Sequence, residues 1–269
     1  MESGRNLKTW MIVNHNFLHH KIVGSGPPVV LLHGLFGMLD NWFSFAKSFQ
    51  EKFQFILVDQ RNHGRSFHAD EMDYNLMAAD VLHLLDELDL KEAIIVGHSM
   101  GGKTAMQFAL SYPDRTAKLA VLDIAPKEYR GDHDNIFAAM KALDLPAHQS
   151  RSSLQKALVQ QLDDTATAAM LLKNIARSPE GFSWRFGLHE IHDAYDRLRG
   201  APSAAAPYSG PTLFVRGGKS PYIKDADAAA IVQLFPNAQI KIIPDAGHWV
   251  HVEAPDELRA LLRDFLDGK

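Results

Sequence analysis

Short apolar runs alternate with stretches of helical periodicity over most of the chain. The runs contain almost no polar positions, as is typical of parallel strands buried on both faces. They predict strands at residues 28–32, 53–58, 93–96, 119–122, 212–215 and 239–243. Apolar residues at helical spacing predict helices at residues 40–49, 76–88, 104–110, 226–234 and 257–265. Because strands and helices alternate, we expect an α/β fold with a mostly parallel central sheet and helices on both faces.

Two further apolar segments precede this alternation. Residues 10–13 and 18–23 are separated by the polar sequence NHN, so they predict an antiparallel hairpin. A cluster of Gly, Ser and Pro at residues 24–27 then ends the second strand. The predicted hairpin therefore lies just before the first buried strand of the sheet.

The alternation stops between residues 126 and 208. Helices are predicted at residues 136–143, 153–162, 165–176 and 188–198, and no strand candidate interrupts them. A return segment rich in small residues and proline follows at residues 200–211. We therefore expect one α/β core, made of residues 1–125 and 209–269, with an inserted helical cap at residues 126–208.

Composition limits the kinds of function. The 269 residues include 28 Lys and Arg, 32 Asp and Glu, and no Cys. The absence of Cys excludes disulfides, a thiol nucleophile and Cys-based metal sites, and it suits a reducing, cytoplasmic location. No basic cluster indicates nucleic-acid binding. Every apolar stretch is far shorter than the ~18 residues that span a bilayer, and no signal peptide pattern follows the N-terminus.

The sequence GHSMG at residues 97–101 fits the G-x-S-x-G pattern. Alone this pattern is weak, but here a predicted strand precedes it and a predicted helix follows it, as in a nucleophile elbow. Ser99 is then a candidate nucleophile at a helix N-terminus, where free N–H groups favour a developing negative charge. The sequence HGLFG at residues 33–37 follows the first buried strand, and its glycines allow backbone N–H groups to approach a reacting oxygen. We expect the N–H groups of Leu35 and Met100 to form an oxyanion hole, with His33 orienting the loop.

Four motifs together resemble the α/β-hydrolase superfamily. They are the HGLFG loop, the turn DQRNHGRS at residues 59–66, GHSMGG, and the late pair Gly247-His248. The sequences RNHGRS, LLKN at residues 171–174 and WRF at residues 184–186 are similar to those of YbfF-type esterases within that superfamily. The resemblance covers essentially the whole chain. It implies the α/β-hydrolase fold with a lid, and a structural role for Asp59 and Arg61.

A serine hydroxyl needs a general base that is held by a third group. In α/β-hydrolases the chain order is Ser, then Asp or Glu, then His, so the base must lie late in the chain. His248 matches the histidine loop of the superfamily. The nearby alternative, His251, is expected on the turn that enters the last helix.

The acid is harder to assign, because the common superfamily position, just past residues 212–215, holds Ser220 and not a carboxylate. Asp123 follows the predicted strand at residues 119–122, at the sheet edge where active sites of open α/β sheets lie. We expect Asp123 to be the acid, with Asp225 as the alternative. The resemblance to YbfF-type esterases implies the same arrangement. Ser220 is then either a fourth member of the catalytic group or an ordinary turn serine.

The predicted cap falls where the superfamily places its lid, which excludes water and shapes the pocket. Six side chains are candidates for lining an acyl channel, or else for packing the cap against the core: Phe36, Trp42, Met170, Leu171, Trp184 and Phe186. We expect an apolar pocket. Lys103 and Lys173 are the candidates for contact with coenzyme A or phosphate.

These observations predict a serine esterase that acts on small acyl esters, or on acyl thioesters, through an acyl-enzyme. No metal or organic cofactor is implied, and the expected partner is the small-molecule substrate of a monomer or small homo-oligomer. The same motifs also allow a C–C bond hydrolase or a perhydrolase. A non-catalytic ligand-binding protein of the same fold is the third alternative.

Overall fold

The computed structural model describes residues 17–131 and 133–269. The described strands, in chain order, are β1 (His20–Val23), β2 (Pro28–Leu32), β3 (Gln54–Val58), β4 (Ala93–His98), β5 (Thr116–Leu122), β6 (Ile175–Ser178), β7 (Gly181–Trp184), β8 (Thr212–Gly217) and β9 (Ala238–Ile243). Seven of them form one sheet in the order β1-β3-β2-β4-β5-β8-β9. Every neighbouring pair in this sheet is parallel except β1–β3. The predicted mostly parallel sheet is therefore confirmed.

Helices connect the strands and continue beyond the last of them. Their bounds are α1 (Phe43–Lys47), α2 (Tyr74–Glu87), α3 (Met100–Ser111), α4 (Asp134–Ala142), α5 (Arg151–Leu162), α6 (Thr165–Leu172), α7 (Leu188–Asp193), α8 (Tyr195–Arg199), α9 (Ala228–Leu234), α10 (Val250–Glu253) and α11 (Pro255–Asp267). Within the described residues, no helix is long and apolar enough to cross a bilayer.

The two faces of the sheet are covered by different helices. Val30 and Leu32 of β2 pack in a cluster with buried residues of α2, α3 and α9. Val29 and Leu31, which point to the opposite face because side chains alternate along a strand, pack with α1 and α11. The continuous apolar runs of the sequence are thus explained by burial on both sides.

The N-terminal hairpin is only partly within the described residues. Its first predicted strand, residues 10–13, lies outside them. Its second strand is β1, which pairs antiparallel with β3, from His20 opposite Val58 to Val23 opposite Phe55.

The segment of residues 126–208 differs from its prediction. It holds α4 to α8, but it also holds an antiparallel hairpin of β6 and β7, where no strand was expected. The helix predicted at residues 165–176 ends at Leu172, and the one predicted at 188–198 is divided into α7 and α8. Each hairpin strand has four residues with a single buried side chain, Ile175 in β6 and Phe182 in β7. Such short strands leave too few apolar positions for a period of two to be visible in the sequence.

The parallel strands place the chemically interesting loops at one edge. The HGLFG loop follows β2, Ser99 follows β4, Asp123 follows β5, and Ser220 lies in the loop after β8. His248 lies in the loop after β9. Because β2, β4, β5, β8 and β9 run in the same direction, their carboxyl ends meet at this edge, where ligands bind in open α/β sheets.

Candidate active site

Ser99 occupies the sharp turn between β4 and α3. Its backbone has φ 54° and ψ −119°, a conformation that is uncommon for a residue with a side chain. A Cβ atom at Gly97 would collide with the carbonyl of Gly101, and one at Gly101 would meet the carbonyl oxygens of Leu32 and His33 at 2.5 Å. Glycine on both sides is therefore what allows this turn, and the strained turn holds the serine hydroxyl at the end of β4.

His248 lies between Ser99 and Asp123. Its Nε2 atom is 3.0 Å from Oγ of Ser99, and its Nδ1 atom is 2.7 Å from Oδ2 of Asp123. Because an ionised carboxylate only accepts hydrogen bonds, Nδ1 carries the hydrogen and Nε2 is left to accept from the serine hydroxyl. The structure thus joins three side chains from distant parts of the chain in one hydrogen-bonded series.

Asp123 is completely buried and has φ 51°. Besides His248, two donors reach its carboxylate: the backbone N–H of Gly217 at 2.9 Å, and the hydroxyl of Ser220. Its own N–H donates to Val215 at 2.8 Å. A buried carboxylate is tolerated only when its oxygens are hydrogen-bonded, and these donors meet that condition.

The alternative acid, Asp225, lies elsewhere. Its side chain is 93% exposed and pairs with Arg216 at 2.5 Å. The sequence left open whether Ser220 contacts the acid or is an ordinary turn serine. In the structure its Oγ atom donates to Asp123 and accepts the N–H of Tyr222 at 3.2 Å.

Two neighbours of His248 were missed by the sequence reasoning. The ring of Tyr222 stacks on the ring of His248, with centroids 3.9 Å apart and planes at 20°. On another side, Nε2 of His98 lies 2.8 Å from the backbone carbonyl of His248, so this nitrogen must carry a hydrogen. Burial, and then the nearby His248 and His251, lower the pKa of His98 well below its usual value. His98 was visible in the GHSMG motif, whereas nothing in the pattern singles out Tyr222.

His251 takes a different place from His248. Its ring stacks on Trp42, with centroids 4.2 Å apart. Desolvation, followed by the charges of His248 and Lys173, lowers its pKa to about 3. Its Nδ1 atom is buried without a hydrogen-bond partner among the described residues.

The HGLFG loop is held by hydrogen bonds to its own backbone. The carbonyl of Gly34 accepts from Nδ1 of His33 at 2.8 Å and from the N–H of Gly37 at 2.9 Å. Nε2 of His33 accepts the N–H of Gln60 at 3.1 Å, and burial lowers the pKa of His33 to about 4. His33 is therefore a neutral ring with one fixed hydrogen position. Since a trans peptide directs its N–H opposite to its C=O, the clamp on the carbonyl of Gly34 also sets the direction of the Leu35 N–H.

The turn at residues 59–66 supports this loop. Oδ1 of Asp59 accepts the N–H of Leu39 at 2.7 Å, and Oδ2 accepts the N–H of Arg65 at 2.9 Å. Arg61 makes a two-pronged ion pair with Asp80, at 2.6 and 2.8 Å. Neither side chain contacts Ser99. Asp59 and Arg61 instead make hydrogen bonds and an ion pair that hold the surrounding backbone and helix in place.

A cleft opens at Ser99. The empty space bounded by the lining residues of the cleft is about 470 Å³, part of which is open to solvent. Leu35 and Met100 line it, and within the described residues neither donates its backbone N–H to another protein group. The remaining walls combine core residues with residues of the 126–208 segment: Tyr74, Lys103, Ile124, Tyr129, Arg130, His133, Tyr195, Leu198, Arg199 and Tyr222.

The six side chains expected to line an acyl channel do not line this cleft. Phe36, Leu171 and Phe186 are buried in the cluster that joins the 126–208 segment to the core, and Met170 and Trp184 pack against it. Trp42 is buried on the other face of the sheet. Their apolar character is explained by packing, which was the alternative interpretation of the sequence.

The exposed lining of the cleft is largely apolar, but cationic side chains are also among its residues. Lys103 is buried, donates to the carbonyls of Arg199 and Gly200 at 2.7 and 2.5 Å, and lies over the ring of Tyr129. Burial lowers its pKa to about 7. Lys173, the second candidate, does not line the cleft. Across residues 17–131 and 133–269, no three His, Asp or Glu side chains are grouped so that they could hold a metal ion.

Comparison with known proteins shows which family the chain resembles. A family model described as the alpha/beta hydrolase fold matches residues 27–255. The chain is similar to the sn-1-specific diacylglycerol lipase ABHD11 of Mus musculus, at 40% identity over 248 residues, which cover 89% of this chain and 81% of that protein. It is similar to Esterase YbfF of Escherichia coli, at 37% identity over 90% of this chain and 94% of that protein.

Among solved structures, one titled "Marine microorganism esterase" superposes with a TM-score of 0.90 and 38% identity. That match covers 93% of this chain and 99% of the other. The range of the family model, residues 27–255, includes both the sheet edge and the 126–208 segment.

Proposed function

The chain belongs to the α/β-hydrolase family and resembles YbfF, and on that premise we propose that it is a serine esterase. It hydrolyses carboxylic esters of small acyl groups, or acyl thioesters, through an acyl-enzyme. The observation that carries this proposal is the hydrogen-bonded series from Ser99 through His248 to Asp123. Relatives named esterase and lipase support an ester-hydrolysing enzyme.

Acylation begins at Ser99. Its Oγ atom attacks the acyl carbon while Nε2 of His248, 3.0 Å away, takes the hydroxyl proton. A bond forms between Oγ and the acyl carbon, and the carbonyl π electrons move to the oxygen. When the bond to the leaving alcohol or thiol breaks, the imidazolium returns the proton to that leaving group.

Asp123 stabilises the imidazolium and fixes its orientation. Its Oδ2 atom accepts from Nδ1 of His248, which keeps Nε2 available as the base. Gly217 and Ser220 donate to the same carboxylate, so they hold it in place while its charge faces His248. Ser220 thus acts as a fourth member through Asp123.

The developing oxyanion is stabilised by two backbone N–H groups, those of Leu35 and Met100. Met100 is the first residue of α3, where the helix dipole favours negative charge. Leu35 belongs to the loop whose peptide is oriented by His33. Preorganised donors of this kind cost no reorganisation as charge develops, and each is worth about 10²- to 10³-fold in rate.

Water completes the cycle. It attacks the acyl carbon while His248 again takes a proton, and the same two N–H groups stabilise the second oxyanion. When the bond between the acyl carbon and Oγ breaks, the imidazolium returns the proton to Oγ, so the acid is released and Ser99 is regenerated. We further propose that residues 126–208 form a cap over a core of residues 1–125 and 209–269. The acyl group of the substrate binds in the cleft that opens at Ser99.

The test is an acyl-chain series of nitrophenyl esters on the purified protein, with matching acyl thioesters and Ser99→Ala as control. We expect hydrolysis of short esters, loss of activity by about 10⁵- to 10⁶-fold in Ser99→Ala, and labelling of Ser99 by a fluorophosphonate. Preferred cleavage of a vinylogous diketone would favour a C–C bond hydrolase instead. Absence of both labelling and turnover would favour a ligand-binding protein.

A further inference from the structure

Asn174 connects the 126–208 segment to the HGLFG loop. It lies between α6 and β6 and is 1% exposed. Its Nδ2 atom donates to the backbone carbonyl of Phe36 at 2.6 Å. Its own backbone is held on both sides, because its N–H donates to Leu171 at 2.9 Å and its carbonyl accepts from Arg185 at 2.8 Å. A buried amide from the proposed cap is therefore fixed against the loop that contains Leu35.

Phe36 is a residue that needs such a contact. Its φ is 57°, in the left-handed region that an aromatic residue seldom adopts. Backbone in this region persists only where the surroundings hold it. The N–H of Phe36 donates to Nε2 of His63 at 3.3 Å, and its carbonyl accepts from Asn174. The peptides on both sides of Phe36 are thus held, one from the core and one from the 126–208 segment.

We propose that Asn174 is a positioning residue of the oxyanion hole. By holding the carbonyl of Phe36, it keeps this residue in its left-handed conformation, and so keeps the neighbouring Leu35 N–H directed into the cleft. The inference rests on the proposed function, since it takes the Leu35 N–H as an oxyanion donor. It adds that a residue outside the core completes the catalytic geometry.

A residue with this role affects the transition state more than substrate binding. The acyl oxygen becomes fully anionic only after Ser99 attacks, so a misdirected N–H lowers kcat while KM changes little. A boronic acid, which forms a tetrahedral adduct when its boron bonds to Oγ of Ser99, should lose affinity in parallel with kcat. A residue that merely supports folding would not couple these two measurements.

The experiment compares Asn174→Leu with a matched control, Gln107→Met. Gln107 is also a buried amide, and it exchanges two hydrogen bonds of 3.0 Å with the backbone of Ser203, away from the HGLFG loop. With nitrophenyl butyrate and phenylboronic acid as probes, we expect kcat of Asn174→Leu to fall about 10- to 100-fold, within the effect of losing one oxyanion donor. The Ki of the boronic acid for Asn174→Leu should rise by a similar factor, while its KM stays within about twofold of the wild-type value. For Gln107→Met, we expect kcat, KM and the boronic acid Ki all to stay within about twofold of wild type.

Three results would overturn the proposal: an unchanged kcat in folded Asn174→Leu, a fall in kcat with an unchanged boronic acid Ki, or a rise in KM alone. If Asn174→Leu does not fold, Asn174→Ala, which leaves room for water in place of the amide, is measured against the same expectations. Failure of the proposed function is distinguishable, since the wild-type protein itself would then neither turn over esters nor be labelled at Ser99.

Discussion

The sheet edge that holds Ser99, Asp123 and His248 and the 126–208 segment position their side chains in different ways. At the edge, each residue of the candidate site directly follows a strand or lies in the loop after one. The register of the parallel strands brings His248 into hydrogen-bond contact with Asp123, 125 positions earlier in the chain, and with Ser99, 149 positions earlier. In the 126–208 segment, short helices and a hairpin of two four-residue strands pack through a shared apolar cluster.

In the proposed mechanism, this difference separates the reaction, at the sheet edge, from the selectivity for the acyl group, in the 126–208 segment. Hydrogen bonds at the sheet edge fix donors and acceptors to a few tenths of an ångström, as proton transfer requires. Apolar packing in the 126–208 segment is non-directional, so it can change the cleft walls without moving the reacting atoms. The contact between Asn174 and Phe36 is one of the directional bonds that join the two regions.

The largest effect that tests this comparison is expected at Asp123. In Asp123→Asn the amide favours the wrong imidazole tautomer, so kcat should fall about 10⁴-fold with the fold retained. Asp225→Asn is the matched control, because Asp225 is exposed and bound to Arg216. Steady-state kinetics with a nitrophenyl ester measure both. Near-normal turnover in Asp123→Asn together with an inactive Asp225→Asn would reverse the assignment of the acid.

A smaller effect is expected at His98. His98→Phe keeps an aromatic ring but removes the hydrogen bond to the carbonyl of His248. Since such a bond contributes about 1 kcal/mol, kcat/KM should fall about 5- to 10-fold. His251→Phe is the control, because its ring stacks on Trp42 and its Nδ1 atom has no partner in the described part of the chain. Equal losses in the two variants would show that ring packing, and not the hydrogen bond, matters.

Acid should destabilise the sheet edge through its buried histidines. His33, His63 and His98 are neutral in the folded protein, where burial lowers the pKa of His33 to about 4 and of His63 to about 3, and that of His98 well below 6.5. Below about pH 6.5 the unfolded chain binds protons that the folded chain does not, so stability present at neutral pH is lost as pH falls. Each histidine contributes up to about 1.4 kcal/mol per pH unit.

Urea unfolding between pH 7.5 and 5 checks this expectation. The free energy of unfolding should decrease with falling pH, and it should decrease less steeply in His98→Phe, which has one fewer buried histidine. Parallel pH dependences in the two proteins would contradict a neutral, buried His98.

The smallest effect concerns the cleft walls. Leu198 of α8 lines the cleft, whereas Trp184 of β7 does not. Leu198→Ala should shift the acyl-chain preference toward longer esters, by about 3- to 4-fold in relative kcat/KM per methylene accommodated. Trp184→Ala should leave the preference unchanged. The opposite result, measured with the same ester series, would place the acyl channel at Trp184, one of the side chains that the sequence predicted to line it.

The fold of the core could be predicted from the sequence because its signals are local. Uninterrupted apolar runs indicated the parallel strands, and GHSMG between a strand and a helix indicated the turn at Ser99. The position of Asp123 was inferred from the end of β5, although only the structure shows Gly217 and Ser220 donating to it.

The cleft could not be predicted in the same way. Tyr222 and Leu198 line the cleft because elements distant in sequence pack together. The identity of a single apolar or aromatic residue does not indicate which other residues it will contact. Phe36 and Phe186 have the composition expected of an acyl channel, but they fill a core cluster. Apolar residues are needed equally in both places, so residue type alone does not distinguish a pocket wall from packing.

The order of the strands has a consequence for synthesis on the ribosome. Ser99 and Asp123 follow the adjacent strands β4 and β5, so the proposed nucleophile and acid are synthesised early, whereas His248 comes 125 residues after Asp123. A nascent chain therefore carries an inert alcohol until β9 has joined the sheet edge. In the proposed mechanism, the hydroxyl of Ser99 therefore gains its base only when the chain is nearly complete.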